Sequence, residues 1–157
     1  MGRAKGLARL PAMEAQAQEA PARLRGKPSW LIGKTSARAH RLIAEAMSAV
    51  GARAYHFAIL AALDEFGPQS QARIGQRCGI DQSDMHAMLA ELAEQGHVRR
   101  APDPEDRRRN LTTLTAAGRR RMAELEAAVS GVQDEVFGVL SDEERGQLVE
   151  MLTRVIG

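Results

Sequence analysis

The chain has 157 residues, enough for one domain of ordinary size and too few for a catalytic domain beside a binding module. Hydrophobic residues make up 44% of it and aromatic residues only 3%, so the apolar content is mainly Ala, Leu, Val, Ile and Met, and an all-β sandwich is not expected. The net charge of +2 conceals segregation, because residues 97–121 carry eight basic and three acidic side chains while residues 122–157 carry two and eight.

A concentrated basic segment presents a local field to a polyanion whatever the total charge; the alternative is a solvated charged loop. No run approaches the roughly 20 apolar residues that span a bilayer, and the N-terminus lacks the apolar stretch of a secretory signal. A soluble, cytoplasmic protein with no membrane partner is therefore expected. Cys78 is the only cysteine, which excludes an internal disulfide and a zinc site built from several thiolates.

Residues 1–28 form a basic arm in which Pro11, Pro21 and Pro28 leave room only for a short extra helix around Met13 to Ala20. From Ser29 the apolar residues Leu31, Ile32, Ala39, Leu42, Ile43, Ala46, Met47 and Val50 recur at helical spacing, predicting a long helix that stops near Gly51. A second helix is predicted from about Ala54 to Phe66, halted by Gly67-Pro68, with Ser70 next as a cap.

Residues 71–95 divide into a short helix to Cys78, a turn at Gly79 and a longer helix opened by Asp81, which is helix-turn-helix spacing. Gly79 suits a turn of positive φ, and Gly75 allows two crossing helices to approach. Val98–Ala101 and Leu111–Leu114 read as short strands around a Pro- and Arg-rich loop, so the motif carries a hairpin wing.

Beyond it, Thr115 can cap a long helix bearing Met122, Leu125, Val129, Val132 and Val136, and Ser141 with Glu144 makes a capping box for a last helix. These helices and the first long one hold more apolar surface than a small winged helix needs. The expected fold is mainly α with a small β-hairpin wing: a winged helix-turn-helix lobe over residues 54–114, flanked by dimerisation helices at 29–51 and 115–157.

Three groups of residues resemble the multiple-antibiotic-resistance regulator (MarR) family of bacterial winged-helix transcription factors. They are Gly79-Ile80-Asp81-Gln82-Ser83 at the turn, Leu92 to Arg100 at the helix end, and Asp103-Pro104-Glu105-Asp106-Arg107-Arg108 followed by Leu114-Thr115-Ala116-Ala117-Gly118. The similarity runs from about Trp30 to the C-terminus. It implies a homodimer that binds pseudo-palindromic double-stranded DNA, usually as a repressor, often released by a small ligand or by oxidation.

On that reading the helix after Asp81 presents Gln82, Ser83, His86 and Ala90 opposite Met85, Met88 and Leu92, facing base edges in a major groove. Gln82 can pair with adenine, Ser83 can meet a base or a phosphate, and the Ala87 methyl can pack on thymine; the alternative is a merely solvated face. Asp84, a carboxylate at such a surface, fits better at the positive end of its helix than on a cytosine amino group. The resemblance makes Arg108 the minor-groove arginine, oriented by Asp106, with Arg107 and Arg109 near phosphates. Arg73 and Arg77 are phosphate contacts or solvated side chains.

The resemblance also implies a ligand pocket between the dimer helices and the DNA-binding lobe, near Trp30, His40, Tyr55, His56 and Phe57, for a small aromatic or organic acid. Core or cap contacts are the alternative for these five. Gly33-Lys34-Thr35 imitates a phosphate loop, but Pro28 stands where that loop needs glycine. The four histidines show no metal-binding spacing, and Cys78 falls at a buried position away from the start of the first long helix, where peroxide-sensing relatives keep theirs. No cofactor, metal or catalytic residue is expected. The rival to a DNA-binding regulator is a winged-helix protein-interaction module using the acidic C-terminal segment.

Overall fold

The computed structural model describes residues 20–106 and 108–157. The helix expected around Met13 falls almost wholly outside the described residues, as does Arg107. Chain contacts divide the protein into two units, residues 1–42 with 131–157, and residues 43–130. The second unit holds the expected 54–114 lobe together with the end of the first long helix and the beginning of the long helix after the wing.

In the first unit a single turn, α1 (Ala22–Arg25), follows Pro21, and α2 (Pro28–Ala49) starts on a proline, whose fixed φ suits a first helical position. The helix α6 (Ala116–Phe137) ends in this unit, and α7 (Asp142–Ile156) follows it. The predicted capping box opens α7: the Glu144 N–H donates to the Ser141 hydroxyl at 3.2 Å and the Ser141 N–H to the Glu144 carboxylate at 2.8 Å. Arg145 pins the turn before it, donating to the Phe137 carbonyl at 3.1 Å and to Asp134 at 2.8 Å. Leu42, Val132 and Val136 are buried, whereas α7 buries no residue and leaves Val149, Met151, Val155 and Ile156 exposed.

In the second unit α3 (His56–Phe66) starts two residues later than its sequence pattern suggests and stops at Gly67, whose φ of 71° lets its N–H reach the Leu63 carbonyl. The helix pair α4 (Gln71–Cys78) and α5 (Gln82–Glu94) follows, then the wing strands β2 (Val98–Pro102) and β3 (Asn110–Leu114). A further strand, β1 (Gln69–Ser70), is not evident from the sequence. It pairs antiparallel with β3, Gln69 opposite Thr112 and Ser70 opposite Leu111, giving a three-stranded sheet of order β1-β3-β2.

The core gathers Met47, Ile59, Leu60, Ile74, Met85, Leu89, Leu92 and Leu125. Buried Gln69 is satisfied at both ends, donating to the Ala62 carbonyl at 3.1 Å and accepting from Arg77 at 2.9 Å. Cys78, expected to be buried, is half-buried at the end of α4, packed against the core with its thiol 3.5 Å from the Ala58 carbonyl.

The start of α6 is fixed by Thr115. Its hydroxyl lies 2.7 Å from the Gly96 carbonyl and 3.0 Å from that of His97, and it accepts the Gly118 N–H at 3.0 Å. A Cβ on Gly118 would overlap the His97 carbonyl and the Leu114 side chain. Gly118→Ala should therefore cost about 1–3 kcal/mol, the usual effect of overpacking, read as a lower urea midpoint at unchanged slope.

Candidate nucleic-acid interface

Each helix of the pair is opened by a side-chain cap, and a glycine closes the first. The Ser70 hydroxyl accepts the Arg73 N–H at 3.3 Å, and Gly79 closes α4 in the left-handed region at φ 64°. Gly75 keeps the crossing close, since a Cβ there would stand 3.0 Å from the Ile80 carbonyl. Asp81 caps α5: its carboxylate accepts the N–H groups of Ser83 and Asp84 at 2.9 and 3.0 Å and the Ser83 hydroxyl at 2.8 Å. The Asp84 N–H first, with the Ser83 hydroxyl next, holds the Asp81 carboxyl below the usual carboxylate range.

α5 is two-faced. Met85, Met88, Leu89 and Leu92 are buried, while Gln82, Ser83, Asp84, His86, Ala87 and Ala90 are exposed along the opposite side. Ser83 donates its hydroxyl proton to Asp81, which leaves the oxygen only as an acceptor for an outside partner. Gln82 and His86 are further exposed polar side chains of that face.

In the wing, Arg108 is 91% exposed, yet its position is defined: Nε lies 3.1 Å from the Asp106 carboxylate, which also accepts the Arg108 backbone N–H at 3.1 Å. These bonds, that from the Arg108 side chain foremost, lower the Asp106 pKa. Arg109 lies 3.4 Å from buried Asp103 and 3.6 Å from Asp106, so it ties the wing together. Arg107 was expected near phosphate and lies outside the described residues.

On α4, Arg73 is exposed and donates to Gln76 at 2.9 Å. The Arg77 guanidinium stacks 3.6 Å from the Phe66 ring centroid, which commits it to its own surface. Sequence reading passed over Arg99 and Arg100, exposed on the edge strand β2, with Arg100 3.3 Å from Gln71 at the start of α4. The excess of arginine across residues 97–121 was the signal that could have found them.

The five residues expected near a ligand pocket are dispersed between the units. In the first, Trp30 is half-buried with the Lys34 ammonium 5.6 Å from its ring, and His40 is exposed. In the second, Tyr55 is exposed and Phe57 packs on the core. Buried His56 accepts the Arg53 N–H on Nδ1 at 3.3 Å, which puts its proton on Nε2, 3.4 Å from a Glu91 carboxylate that also pairs with the Arg53 guanidinium. That approach is too poorly aligned to satisfy Nε2 as a hydrogen bond.

These elements define a winged helix-turn-helix protein. Residues 52–109 match the family model described as MarR family. The transcriptional repressor NicR of Pseudomonas putida is 28% identical over 100 residues, 64% of this chain, and the match spans only 63% of that relative's length. Among solved structures, Bordetella bronchiseptica BpsR, described for regulation of its DNA binding by 6-hydroxynicotinic acid, superposes with a TM-score of 0.75 at 24% identity, covering 87% of this chain and 97% of that one. A cysteine-to-serine mutant of E. coli MarR complexed with operator DNA gives a TM-score of 0.70 at 24% identity, covering 81% and 91%. Residues 52–109 thus resemble the MarR family, and the solved structures share the winged-helix fold over most of the chain.

Burial, foremost, lowers the pKa of both His56 and His97 below the ordinary histidine value. The unfolded chain therefore protonates first as pH falls, so the stability these imidazoles contribute is complete above about pH 6.5 and is lost on acidification through their lowered values. Unfolding free energy should be insensitive to them near neutrality and begin to fall as the pH drops below about 6.5. A shallower fall in His97→Gln, measured by urea titration at each pH, is the expected signature.

Proposed function

We propose that this protein is a homodimeric transcriptional regulator of the MarR type, a repressor that binds a pseudo-palindromic operator and is released by a small organic acid. α5 enters consecutive major grooves with half-sites about 10 base pairs apart, and each wing enters a flanking minor groove. The observation that carries the reading is Arg108, an almost fully exposed arginine held in one orientation by Asp106. A narrow minor groove concentrates negative potential, which a projecting guanidinium meets at little ordering cost when it is already oriented. Operator binding by E. coli MarR and ligand control of BpsR support extending both properties to this chain.

The dimer surface in this reading is the apolar side of the first unit. Val155 and Ile156 are 77% and 85% exposed, and Leu31, Ile32, Val149 and Met151 are exposed as well, more apolar surface than a monomer ordinarily leaves to water. Val155→Glu with Ile156→Glu should convert the dimer to monomer in sedimentation velocity, while far-ultraviolet circular dichroism stays helical. A wild type that sediments as a monomer would refute this assembly.

DNA binding is tested by fluorescence anisotropy on a duplex from upstream of the protein's own gene and on a scrambled duplex, across salt concentrations around 0.15 M. Upstream-selective binding is expected. Arg108→Ala should weaken binding to both duplexes and reduce the salt slope by about one, whereas Gln82→Ala or His86→Ala should change base preference by about 1–3 kcal/mol with the slope retained. Weak, equal binding to both duplexes, lost steeply with salt, would favour the protein-interaction module, for which the exposed Asp84 on α5 is the supporting feature.

A further inference from the structure

The turn between α2 and α3 is closed by a nitrogen base. Val50, Gly51 and Ala52 donate their N–H groups back to carbonyls in the last turn of α2, and the His56 N–H donates to the Arg53 carbonyl at 3.1 Å. The Arg53 N–H in turn donates to Nδ1 of His56 at 3.3 Å, so residues 53 and 56 hold each other by reciprocal bonds. The helices α4, α5 and α7 open instead on the oxygens of Ser70, Asp81 and Ser141, which keep their acceptor character at every pH near neutrality.

His56 is only 2% exposed, and three charged side chains face it, each from a different segment. Glu91 on α5 brings a carboxylate oxygen to 3.4 Å from Nε2, Arg53 in the turn pairs with the same carboxylate, and Arg121 on α6 is tied to Glu124 and to the Val50 carbonyl. Burial, foremost, outweighs the attraction of Glu91 and keeps the ring neutral near pH 7. A neutral ring fits this site because Nδ1 offers its lone pair to Arg53 and the Nε2 proton faces Glu91. An imidazolium does not fit: a proton on Nδ1 sets donor against donor, and a buried donor left without an acceptor is costly. Nε2, which has no satisfied hydrogen bond in the closed arrangement, is pulled toward Glu91 by the same added charge.

We propose that His56 is a proton-sensitive latch on the turn formed by residues 50–55. The neutral ring holds the turn closed and leaves Glu91 to Arg53; the protonated ring gives up the Arg53 N–H, takes Glu91 as its partner and opens the turn. Glu91 lies on α5, so the latch acts on the helix whose opposite face exposes Gln82 and His86. Its bearing on DNA rests on the function proposed above, whereas the latch itself is read without DNA.

The full chain, labelled with ¹⁵N, is followed by nuclear magnetic resonance from about pH 7.5 to 5, across the histidine range. The His56 ring nitrogens and the Arg53 amide should titrate together, and the Arg53 amide should lose its protection from hydrogen exchange while the β3 amides keep theirs. Glu91→Gln removes the attraction for the proton and should move the midpoint to lower pH; Arg53→Gln removes a repulsion and should move it to higher pH. His56→Asn, whose side-chain oxygen can accept the Arg53 N–H at any pH, should abolish the transition in the turn. Where that variant fails to fold, the two charge variants carry the test. His97, which lines a cleft with Gly51 and Arg121, titrates in every variant and so cancels from the comparison. Protonation of His56 with no change at Arg53, an unaltered Arg53 transition in His56→Asn, midpoints moved by neither charge variant, or simultaneous loss of the β3 amides would each overturn the latch.

Discussion

The hydroxyl of Thr115 sits where the end of α5, the wing and the start of α6 converge, and the second unit depends on that junction. It bonds to the carbonyls of Gly96 and His97 and caps α6 through the Gly118 N–H, while the Thr115 N–H adds a bond to the His97 carbonyl at 3.1 Å. Only glycine at position 118 lets the α6 backbone approach that carbonyl. The same contacts close the base of the wing, where Val98 is opposite Leu114, and from there the register runs without interruption to Pro102 opposite Asn110. Because side chains alternate faces along a strand, a slip of one residue at this base would invert the strand relative to the core. The projection of Arg108 is thus set at a clasp many residues away from it.

Two aspartates perform the same task in different elements of the lobe, one before α5 and one in the wing. Asp81 takes up the first N–H groups of α5, and Asp106 takes up the backbone and side chain of Arg108. The hydrogen bonds to each stabilise the charged form, so both stay ionised wherever the protein is folded near neutrality. Their effect on partner chemistry is opposite in kind. Asp81 engages the Ser83 hydroxyl and removes a donor from the exposed face, whereas Asp106 holds Arg108 by Nε and leaves the terminal nitrogens directed outward.

What was legible in the sequence was local. The Ser70, Asp81, Thr115 and Ser141 caps each act within three residues, and the turn at Gly79 follows from one residue's freedom at positive φ. Helix periodicity likewise placed the buried face of α5. Contacts joining distant segments were not legible: β1 is two residues long, too short for an alternating pattern, and exists because Leu111 and Thr112 lie opposite it. The pairing of Arg53 and His56 with Glu91, and the stacking of Arg77 on Phe66, likewise arise from helix packing with no spacing rule to announce them. The cleft beside His97 is of the same kind, since its walls come from segments separated by more than 60 residues.

The arginine count of residues 97–121 also overstates the field the folded surface offers. Among the described residues Arg119 pairs with Asp64, Arg121 with Glu124, Arg109 with Asp103 and Asp106, and Arg108 with Asp106, so four of the eight basic side chains have a carboxylate partner. Exposed charges interact appreciably only within about 8–10 Å at physiological salt, so the remaining charges act by position rather than by total. Arg99 and Arg100 on β2 and Arg108 at the wing tip belong to one hairpin, and Arg100 is hydrogen-bonded to the first residue of α4. Arg120 stands apart from that group on α6. The basic side chains of one run of sequence thus come to lie in two separate places, the hairpin and the start of α6.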